Sequence, residues 1–304
     1  MITPENKKNV GMRNVLRSLV ARYDMTISGK KYDKNLKEYG LNNQKRSFDI
    51  TVSFTTYPAR IKSAIYVADA LLRQTLKPDR VLLYLASDEF ESTKVLPDEY
   101  KTLVNRGLTI IFVNDNIKPH KKYYFAMQKY PESLLVTVDD DAFYDETLIE
   151  TLYKSYLNFP ESIHAMRVHR ALLNEKGKLE SYRAWKLKDN CVSCPSMELL
   201  AVGVGGILYP PDLMHKDLFD LEKIKRLCLD TDDIWLKTMQ VLENTPVVLA
   251  SKNRRIRNIA CSQRNALWKT NLDDNRNDGS IRNCLNEYAI EDFEWVNGRS
   301  RKND

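Results

Sequence analysis

The sequence predicts an α/β fold with a mainly parallel central sheet and helices on both of its faces. Short apolar runs alternate along the chain with amphipathic stretches of about ten residues. The apolar runs are continuous, which is typical of strands that are buried on both faces of a parallel sheet. The 304 residues are enough for one large domain with appended segments.

The regular pattern begins at Phe48 and continues to about residue 262, so we predict one folded body over 48–262. Its first strand covers 49–55 and ends before Pro58, which cannot donate to a ladder. The other predicted strands lie at 80–85, 108–113, 134–138, 163–170, 201–209 and 246–250. Helices with one apolar face are predicted at 61–74, 123–130, 148–159 and 232–242.

The N-terminal segment 1–47 differs from the body in charge. It holds eleven Lys or Arg and four Asp or Glu, a net charge of +7, whereas the rest holds 36 basic and 37 acidic residues. Residues 10–24 form an amphipathic pattern that predicts a helix, followed by a polar linker. Contact with anionic lipid headgroups is one expectation for this basic arm, and a solvated face is the alternative.

The polar segment from 263 to 304 is rich in Asn, Asp and Arg and is predicted to be a tail. Within it, 271–282 is interpreted as a lid over the site or as a plain loop. No apolar run reaches the roughly 18 to 20 residues of a membrane span, and the first residues lack a signal-peptide core. We therefore expect a cytoplasmic protein, with a possible contact at the inner face of the membrane and no nucleic-acid partner.

Five cysteines predict free thiols, because an odd number without a secretory signal argues against a disulfide framework. Cys191 and Cys194 form a C-x-x-C pattern. A zinc site would need a second pair at suitable spacing, which the sequence lacks. We therefore expect these two residues to be buried or loop thiols.

Three consecutive carboxylates, Asp139, Asp140 and Asp141, follow the predicted strand 134–138. Ligands of open α/β sheets bind outside the carboxyl ends of strands. On an extended segment Asp139 and Asp141 point the same way, and two carboxylates together can take a hard divalent cation that also bridges a diphosphate. The alternative is an Asp-rich turn that caps the next helix.

A second acidic group, Asp232 and Asp233, opens the predicted helix 232–242 and follows a glycine-containing strand. A carboxylate at this place can remove a proton from an acceptor hydroxyl. The alternative is a helix N-cap, in which Thr231 or Asp232 caps and the other acids favour the positive end of the dipole.

Four segments in order carry a resemblance to a known family: TTYPAR at 55–60, VDDD at 138–141, GVGGILYPP at 203–211 and TDDIW at 231–235. Over about 48–290 the chain resembles the bacterial family-2-like glycosyltransferases of GT-A fold that are found with capsule and lipopolysaccharide gene sets. The resemblance implies a Rossmann-like GT-A catalytic domain at 48–262. It also implies transfer of a sugar from a nucleotide-sugar donor, with a UDP-sugar favoured, to an oligosaccharide or lipid-linked acceptor.

The resemblance also assigns residues by motif position. The expected donor-binding residues are Thr55, Tyr57, Arg60, Ser87, Asp88, Lys121, Lys122, Asp139 and Asp140. Asp139 and Asp141 match the D-x-D motif that would hold Mn²⁺ or Mg²⁺, and Gly205 and Gly206 match the acceptor-side strand. Asp233 is the expected general base of an inverting enzyme and Asp232 the alternative, because this chain has Asp-Asp where the family has Glu-Asp.

Further residues are candidates from their type alone. Trp185 and Trp235 are expected either to stack on acceptor sugar rings or to belong to the core, where large aromatics are more common. Alternation puts Arg167 and His169 on one face of the predicted strand 163–170. There Arg167 either holds a diphosphate or forms a surface salt bridge.

Three other functions use the same residues differently. A retaining glycosyltransferase would share the D-x-D motif without a base at Asp233. A metal-dependent phosphotransferase or nuclease would want more carboxylates or a Walker loop, and no G-x-x-x-x-G-K-[ST] occurs. A calcium-dependent binding protein with an EF-hand would need glycine at residue 144, which is Tyr144.

Overall fold

A computed structural model describes residues 37–185, 191–252, 256–259 and 276–299. The predicted helix at 10–24 lies outside the described residues, and the predicted lid at 271–282 is described only from 276. The strands are β1 Ile50–Thr55, β2 Arg80–Ala86, β3 Leu108–Val113, β4 Leu134–Thr137, β5 Ile163–Ala165, β6 Val168–Arg170, β7 Leu199–Ala201, β8 Ile207–Tyr209 and β9 Val247–Leu249. The α-helices are α1 Ile61–Leu71, α2 Glu99–Asn105, α3 Lys121–Lys129, α4 Leu148–Asn158, α5 Leu221–Leu227, α6 Asp232–Glu243, α7 Arg276–Glu287 and α8 Asp292–Asn297.

Seven strands form the central sheet in the order β3-β2-β1-β4-β8-β5-β9. All its pairs are parallel except those of β8, which runs antiparallel to both β4 and β5. The order 3-2-1-4 is that of a doubly wound nucleotide-binding sheet. The predicted α/β, Rossmann-like fold with a mainly parallel sheet is therefore confirmed.

Each face of the sheet covers its own apolar layer, which explains the continuous apolar runs. Along β2, Leu82 and Tyr84 belong to one buried cluster, while Val81, Leu83 and Leu85 belong to the other. Alternate residues of a strand point to opposite faces, so a strand between two cores must be apolar at every position.

Two predicted strands are divided by turns. The run 163–170 forms β5 in the central sheet and β6 in a two-stranded sheet with β7, so the chain changes sheet between Ala165 and Val168. The run 201–209 is interrupted by a 3-10 turn at Gly203–Gly205. Gly206 has φ of +93°, a conformation that favours glycine, and this reverses the chain into β8.

The described parts of both predicted appendages pack on the body. Gly40 N donates to Arg106 O at 2.8 Å, and Arg46 forms an ion pair with Asp79 at 3.0 Å. At the other end, α7 and α8 bury apolar residues in the larger of the two cores: Ile281, Cys284, Leu285, Trp295 and Val296. Described residues before 48 and after 262 therefore take part in the packed structure.

The prediction of free thiols is wrong for the C-x-x-C pair, because Cys191 and Cys194 form a disulfide. Their Cα atoms lie 5.7 Å apart, within the usual range for a bridge, so the short spacing is sufficient. Cys228 and Cys284 are buried free thiols, and Cys261 lies outside the described residues. No helix in the described ranges is long and apolar enough to cross a membrane.

Candidate active site

The two acidic motifs meet at the carboxyl end of the central sheet. Asp139 follows β4, which lies beside β1, and Asp232 begins α6. The loop Gly203–Gly206, between β7 and β8, passes between the two motifs. This is the sheet edge at which α/β proteins bind their ligands.

The three consecutive aspartates have different surroundings. Asp140 is buried and accepts bonds from Arg60 Nη1 at 2.7 Å and from Thr56 Oγ1 at 2.6 Å. Asp141 is buried and lies 3.2 Å from Arg60 Nη2. Asp139 is the most accessible, with 30% of its side chain exposed. Asp140 is therefore committed to the fold and does not fit its predicted contact with a donor.

Lys122 bridges the two acidic motifs. Its Nζ lies 2.6 Å from Asp139 Oδ1 and 2.8 Å from Asp232 Oδ2, and the side chain is buried. Burial alone would lower the pKa of Lys122, but the charges of Asp139 and Asp232 outweigh it and hold that pKa well above its ordinary value. Lys122 is thus a permanent cation whose charge is already paired with two carboxylates and is not free to bind a phosphate.

Gly203 lies at the centre of the site. Its N–H donates to Asp233, with 3.1 Å to Oδ1 and 3.3 Å to Oδ2. A Cβ at this position would lie 2.9 Å from Lys122 Nζ and 3.3 Å from Asp139 Oδ1. A side chain at this position would therefore force Lys122 and the two carboxylates to shift from their present contacts.

The two glycines predicted for the acceptor side have other roles. A Cβ on Gly205 would lie 2.5 Å from the Cβ of Arg167. Gly206 makes the turn into β8 and packs against Leu148. They shape the loop, while Gly203 contacts the carboxylates.

Tyr144 ties this loop to the first acidic motif. Its hydroxyl accepts a bond from Asp139 N at 2.9 Å and donates to Val204 O at 3.1 Å. Burial raises the pKa of Tyr144 well above its ordinary value, so the hydroxyl keeps its proton. The distance between Asp139 and the glycine loop is therefore set by a buried aromatic side chain.

The carboxylates outnumber the cations around them. Within the described ranges, Asp139, Asp140, Asp141, Asp232 and Asp233 surround two paired cations, Lys122 and Arg60. The pKa of Asp141 is raised to about 7 by burial and by the charge of Asp139. A surplus of buried negative charge of this kind favours the binding of a cation or a proton.

The two candidate bases titrate in opposite directions. The pKa of Asp233 is raised well above its ordinary value by burial and by the charge of Asp232. Burial acts the same way on Asp232, but Lys122 and His120 outweigh it, so the pKa of Asp232 is lowered. Asp233 is also the partly exposed member of the pair. Thr231 occupies the N-cap without a capping side-chain bond, and its hydroxyl donates to Ser280 Oγ at 2.8 Å.

The other predicted donor residues lie along the ends of β1, β2 and β3. Ser87 and Asp88 are exposed directly after β2. Asn116 Nδ2 donates to Asp88 at 3.2 Å, and the buried Lys121 donates to Asn116 Oδ1 at 2.7 Å. Burial lowers the pKa of Lys121, against the opposing charge of Glu89.

After β1, Thr55 Oγ1 donates to Tyr84 O at 2.8 Å. Arg60 lies 5.5 Å from the ring centre of Tyr57, which is half-buried. Arg60 is itself buried between Asp140 and Asp141, so it stabilises the acidic motif and presents little surface to a nucleotide.

The two tryptophans belong to the core. Trp235 is 0% exposed and donates from Nε1 to Leu218 O at 3.1 Å. Trp185 is 2% exposed and donates to Glu180 O at 2.9 Å. A ring without an exposed face cannot stack on a sugar, so acceptor binding by Trp185 and Trp235 does not fit this structure, whereas the core alternative does.

Sequence reasoning missed several residues of the site: Thr56, Asn116, Tyr144 and Gly203. Thr56 and Gly203 lie inside the quoted motifs, but neither stood out from its neighbours. Tyr144 and Asn116 act through contacts that depend on the fold, because each is joined to a strand end or loop distant in sequence.

No protein-family model matches the chain, and no curated protein matches its sequence. Among solved structures, the chain is similar to the mannosyltransferase PcManGT from Pyrobaculum calidifontis, in complex with GDP-Man and Mn²⁺. The identity is 13%, the match covers 79% of this chain and 65% of the other, and the TM-score is 0.41. It is also similar to an apo UDP-glucose pyrophosphorylase, with 9% identity, coverage of 80% and 98%, and a TM-score of 0.37. The chain thus spans about two thirds of the mannosyltransferase, and at TM-scores below 0.5 neither match bears on function.

Proposed function

We propose that this protein is a metal-dependent, inverting glycosyltransferase that moves a sugar from a nucleotide-sugar donor to a hydroxyl of a saccharide or lipid-linked acceptor. The observation that carries the proposal is the meeting of Asp139 and Asp233 at Gly203. A Cβ on this glycine would lie 3.3 Å from Asp139 and 3.1 Å from Asp233. In the proposed reaction, Asp139 serves the diphosphate of the donor and Asp233 receives the proton of the attacking hydroxyl.

The residues fit a divalent cation that binds together with the donor. The described residues contain no group of three His, Cys, Asp or Glu that could hold a metal on their own. Asp139 and Asp141 offer two carboxylates in a region with surplus negative charge. Mg²⁺ is commonly held by one or two carboxylates plus substrate phosphates, and Mn²⁺ suits the same oxygen ligands. When bound, the ion would neutralise charge on the leaving nucleoside diphosphate.

Asp233 is better suited than Asp232 to act as the base. Its raised pKa makes it a stronger proton acceptor, and it is partly exposed. Its contact with Gly203 N orients the carboxylate. Asp232 is instead paired with Lys122, and this pair keeps the cation between the two acidic motifs.

The donor side is proposed to include Thr55, Tyr57, Ser87, Asp88 and Lys121. These residues follow β1 and β2 or begin α3, next to the acidic motif on β4. The pair of Asp88 and Asn116 presents amide and carboxylate groups at a partly exposed edge, which suits recognition of a nucleobase. The sequence resemblance supports a UDP-sugar and a role in surface polysaccharide synthesis at the cytoplasmic side of the membrane.

A donor screen tests this function. The full-length chain is incubated with Mn²⁺ and with UDP-, GDP-, CMP- and TDP-sugars, and release of the nucleotide is measured with and without EDTA. We expect one nucleotide class to be hydrolysed slowly, in a metal-dependent way, with water as the acceptor. If no nucleotide-sugar is hydrolysed and none raises the melting temperature, the proposal is wrong. With an acceptor in hand, NMR coupling constants of the product then separate inversion from the retaining alternative.

A further inference from the structure

Arg167 lies beside the glycine loop, where its Cβ packs against Gly205. It lies between β5 and β6, and its backbone O accepts a bond from Val202 N at 3.0 Å. The side chain is half-buried, and within the described part of the chain it has no hydrogen bond or ion pair. Burial lowers the pKa of Arg167, and the opposing influence is Tyr182 rather than a carboxylate. A guanidinium held in this way is stabilised when a ligand anion pairs with it.

His169 is a second unpartnered group next to Arg167. It is 6% exposed, and neither ring nitrogen has a hydrogen-bond partner among the described residues. Its ring centre lies 5.5 Å from that of Tyr182. The pKa of His169 is lowered to about 4 by burial and by the charge of Arg167, so the ring is neutral at pH 7 and carries one N–H. Buried polar atoms are rarely left without partners, so such a group calls for an explanation, and a bound ion or ligand is one.

The position of Tyr182 relates this pair to the proposed base. The charges of Asp233 and Arg167 both act on the Tyr182 hydroxyl, in opposite directions. Asp233 in turn meets Asp139 at Gly203, while Arg167 packs against Gly205 of the same loop. Arg167 and Asp233 therefore both lie close enough to the Tyr182 hydroxyl to act on its pKa. We assign the acceptor to this side of the site because it holds the proposed base.

We infer that Arg167 and His169 form an anion subsite for the acceptor, so that the acceptor substrate carries a phosphate or carboxylate group near its attacking hydroxyl. This inference rests on the proposed transferase function, because it uses Asp233 to define the acceptor side. The guanidinium provides a planar, two-pronged donor that matches such oxyanions, and His169 adds one further N–H. A neutral acceptor would leave the half-buried Arg167 without a compensating charge.

Anion binding alone tests the subsite without donor or acceptor. The full-length protein is titrated calorimetrically with inorganic phosphate and, separately, with acetate, both in EDTA. Arg167→Gln is expected to weaken binding of the preferred anion by about tenfold or more, the usual scale for a lost charge-assisted contact. Arg170→Gln is the matched control, because Arg170 is already paired with Glu198, which directly precedes β7, and binding should be unchanged. If neither anion binds the wild-type protein more tightly than Arg167→Gln, the inference is wrong.

A second arm separates the acceptor anion from the donor diphosphate. UDP and GDP are titrated in Mn²⁺ against wild type and Arg167→Gln. Equal affinities are expected. A loss of about tenfold or more would mean that Arg167 contacts the donor, and the acceptor assignment would fall. A wild-type protein that binds no nucleotide would contradict the proposed function instead, which the phosphate titration does not use.

The role of His169 is tested by anion binding and the melting temperature of a separate variant. His169→Phe preserves a ring beside Tyr182 and removes only nitrogens that have no partner in the described structure. We expect weaker anion binding with an unchanged or higher melting temperature, because replacing unsatisfied polar atoms by apolar ones costs no hydrogen bond. A clearly lower melting temperature would show that these nitrogens support the fold and would remove His169 from the subsite.

Discussion

Replacing Asp233 by Asn should lower activity and leave the fold at least as stable. The amide retains an oxygen that accepts from Gly203 N, which is 3.1 Å from Oδ1 in the wild type. It cannot take a proton from the acceptor, and loss of a general base costs about 10²- to 10⁴-fold in turnover. Donor binding should be unaffected, since Asp139 and Lys122 retain their contact.

The stability effect follows from the direction of the pKa shift. The pKa of Asp233 is raised in the folded state, so folding favours the protonated form, and the ionised carboxylate destabilises the protein at neutral pH. A neutral amide removes this repulsion with Asp232, and the melting temperature at pH 7 to 8 should stay level or rise.

Asp232→Asn is the matched control, with the opposite effect on stability. It breaks the buried ion pair with Lys122, in which the two atoms lie 2.8 Å apart. Removing one partner of a buried pair costs about 3 to 5 kcal/mol, and the lower end applies because Lys122 keeps Asp139. The melting temperature should therefore fall by several degrees in Asp232→Asn and not in Asp233→Asn.

The assay is transfer, measured as nucleotide release with saturating donor and acceptor, together with thermal unfolding of each variant. The reasoning about the base is refuted if Asp233→Asn keeps turnover within about threefold of the wild type. A product of retained anomeric configuration refutes it too, even when both variants are inactive. Equal destabilisation by both variants would contradict the assignment of separate roles to the two carboxylates.

Three further outcomes are expected. Gly203→Ala should abolish transfer but change the melting temperature little, because the new Cβ meets the ends of flexible side chains. Gly206→Ala should lower the melting temperature, because Gly206 has a φ of +93°. Equal activity of Gly203→Ala and wild type would contradict the site geometry. Deletion of 1–36 should preserve donor hydrolysis and weaken salt-sensitive binding to anionic vesicles. Deletion of 1–47 should also destabilise the body by removing the Gly40 and Arg46 contacts. If the full chain does not bind vesicles, the arm is a solvated face. Without metal, the free energy of unfolding should fall as pH rises from about 4 to about 7, because the pKa of Asp141 is raised to about 7 in the folded protein. Asp141→Asn should flatten this pH dependence, measured by urea titration, and should remove metal-dependent donor binding. An unchanged pH dependence in the variant would contradict the surplus of negative charge.

Strand positions were predictable because their cause is local. A strand between two apolar layers must be apolar at successive residues, so β2, β3 and β9 were recognisable from their own residues. The acidic motifs were recognisable for a similar reason, since clustered carboxylates at a strand end or a helix start have few local explanations. The helix starting at Asp232 and the class of fold followed from the same patterns.

Partners of polar side chains were not predictable, because they depend on which segments the fold brings together. Lys122 is 17 residues from Asp139 in sequence, yet its second partner, Asp232, lies on the distant helix α6. Gly203 contacts the carboxylates, whereas Gly205 and Gly206 do not, because of the path of the 3-10 turn that begins at Gly203. Trp185 and Trp235 belong to the same buried cluster as residues of α7 and α8, whose contribution to the core was concealed by the polar composition of that segment.

Hydrophobic periodicity thus determined the α/β class and the positions of most strands and helices, and the clustering of aspartates identified the acidic groups. Tertiary packing decided the function of each acidic group: Asp140 supports the fold through Arg60, Asp232 holds Lys122, and Asp233 remains accessible. The physical reason is that burial of apolar surface is additive over neighbouring residues, whereas the pKa and availability of a carboxylate depend on charges and desolvation supplied by remote segments.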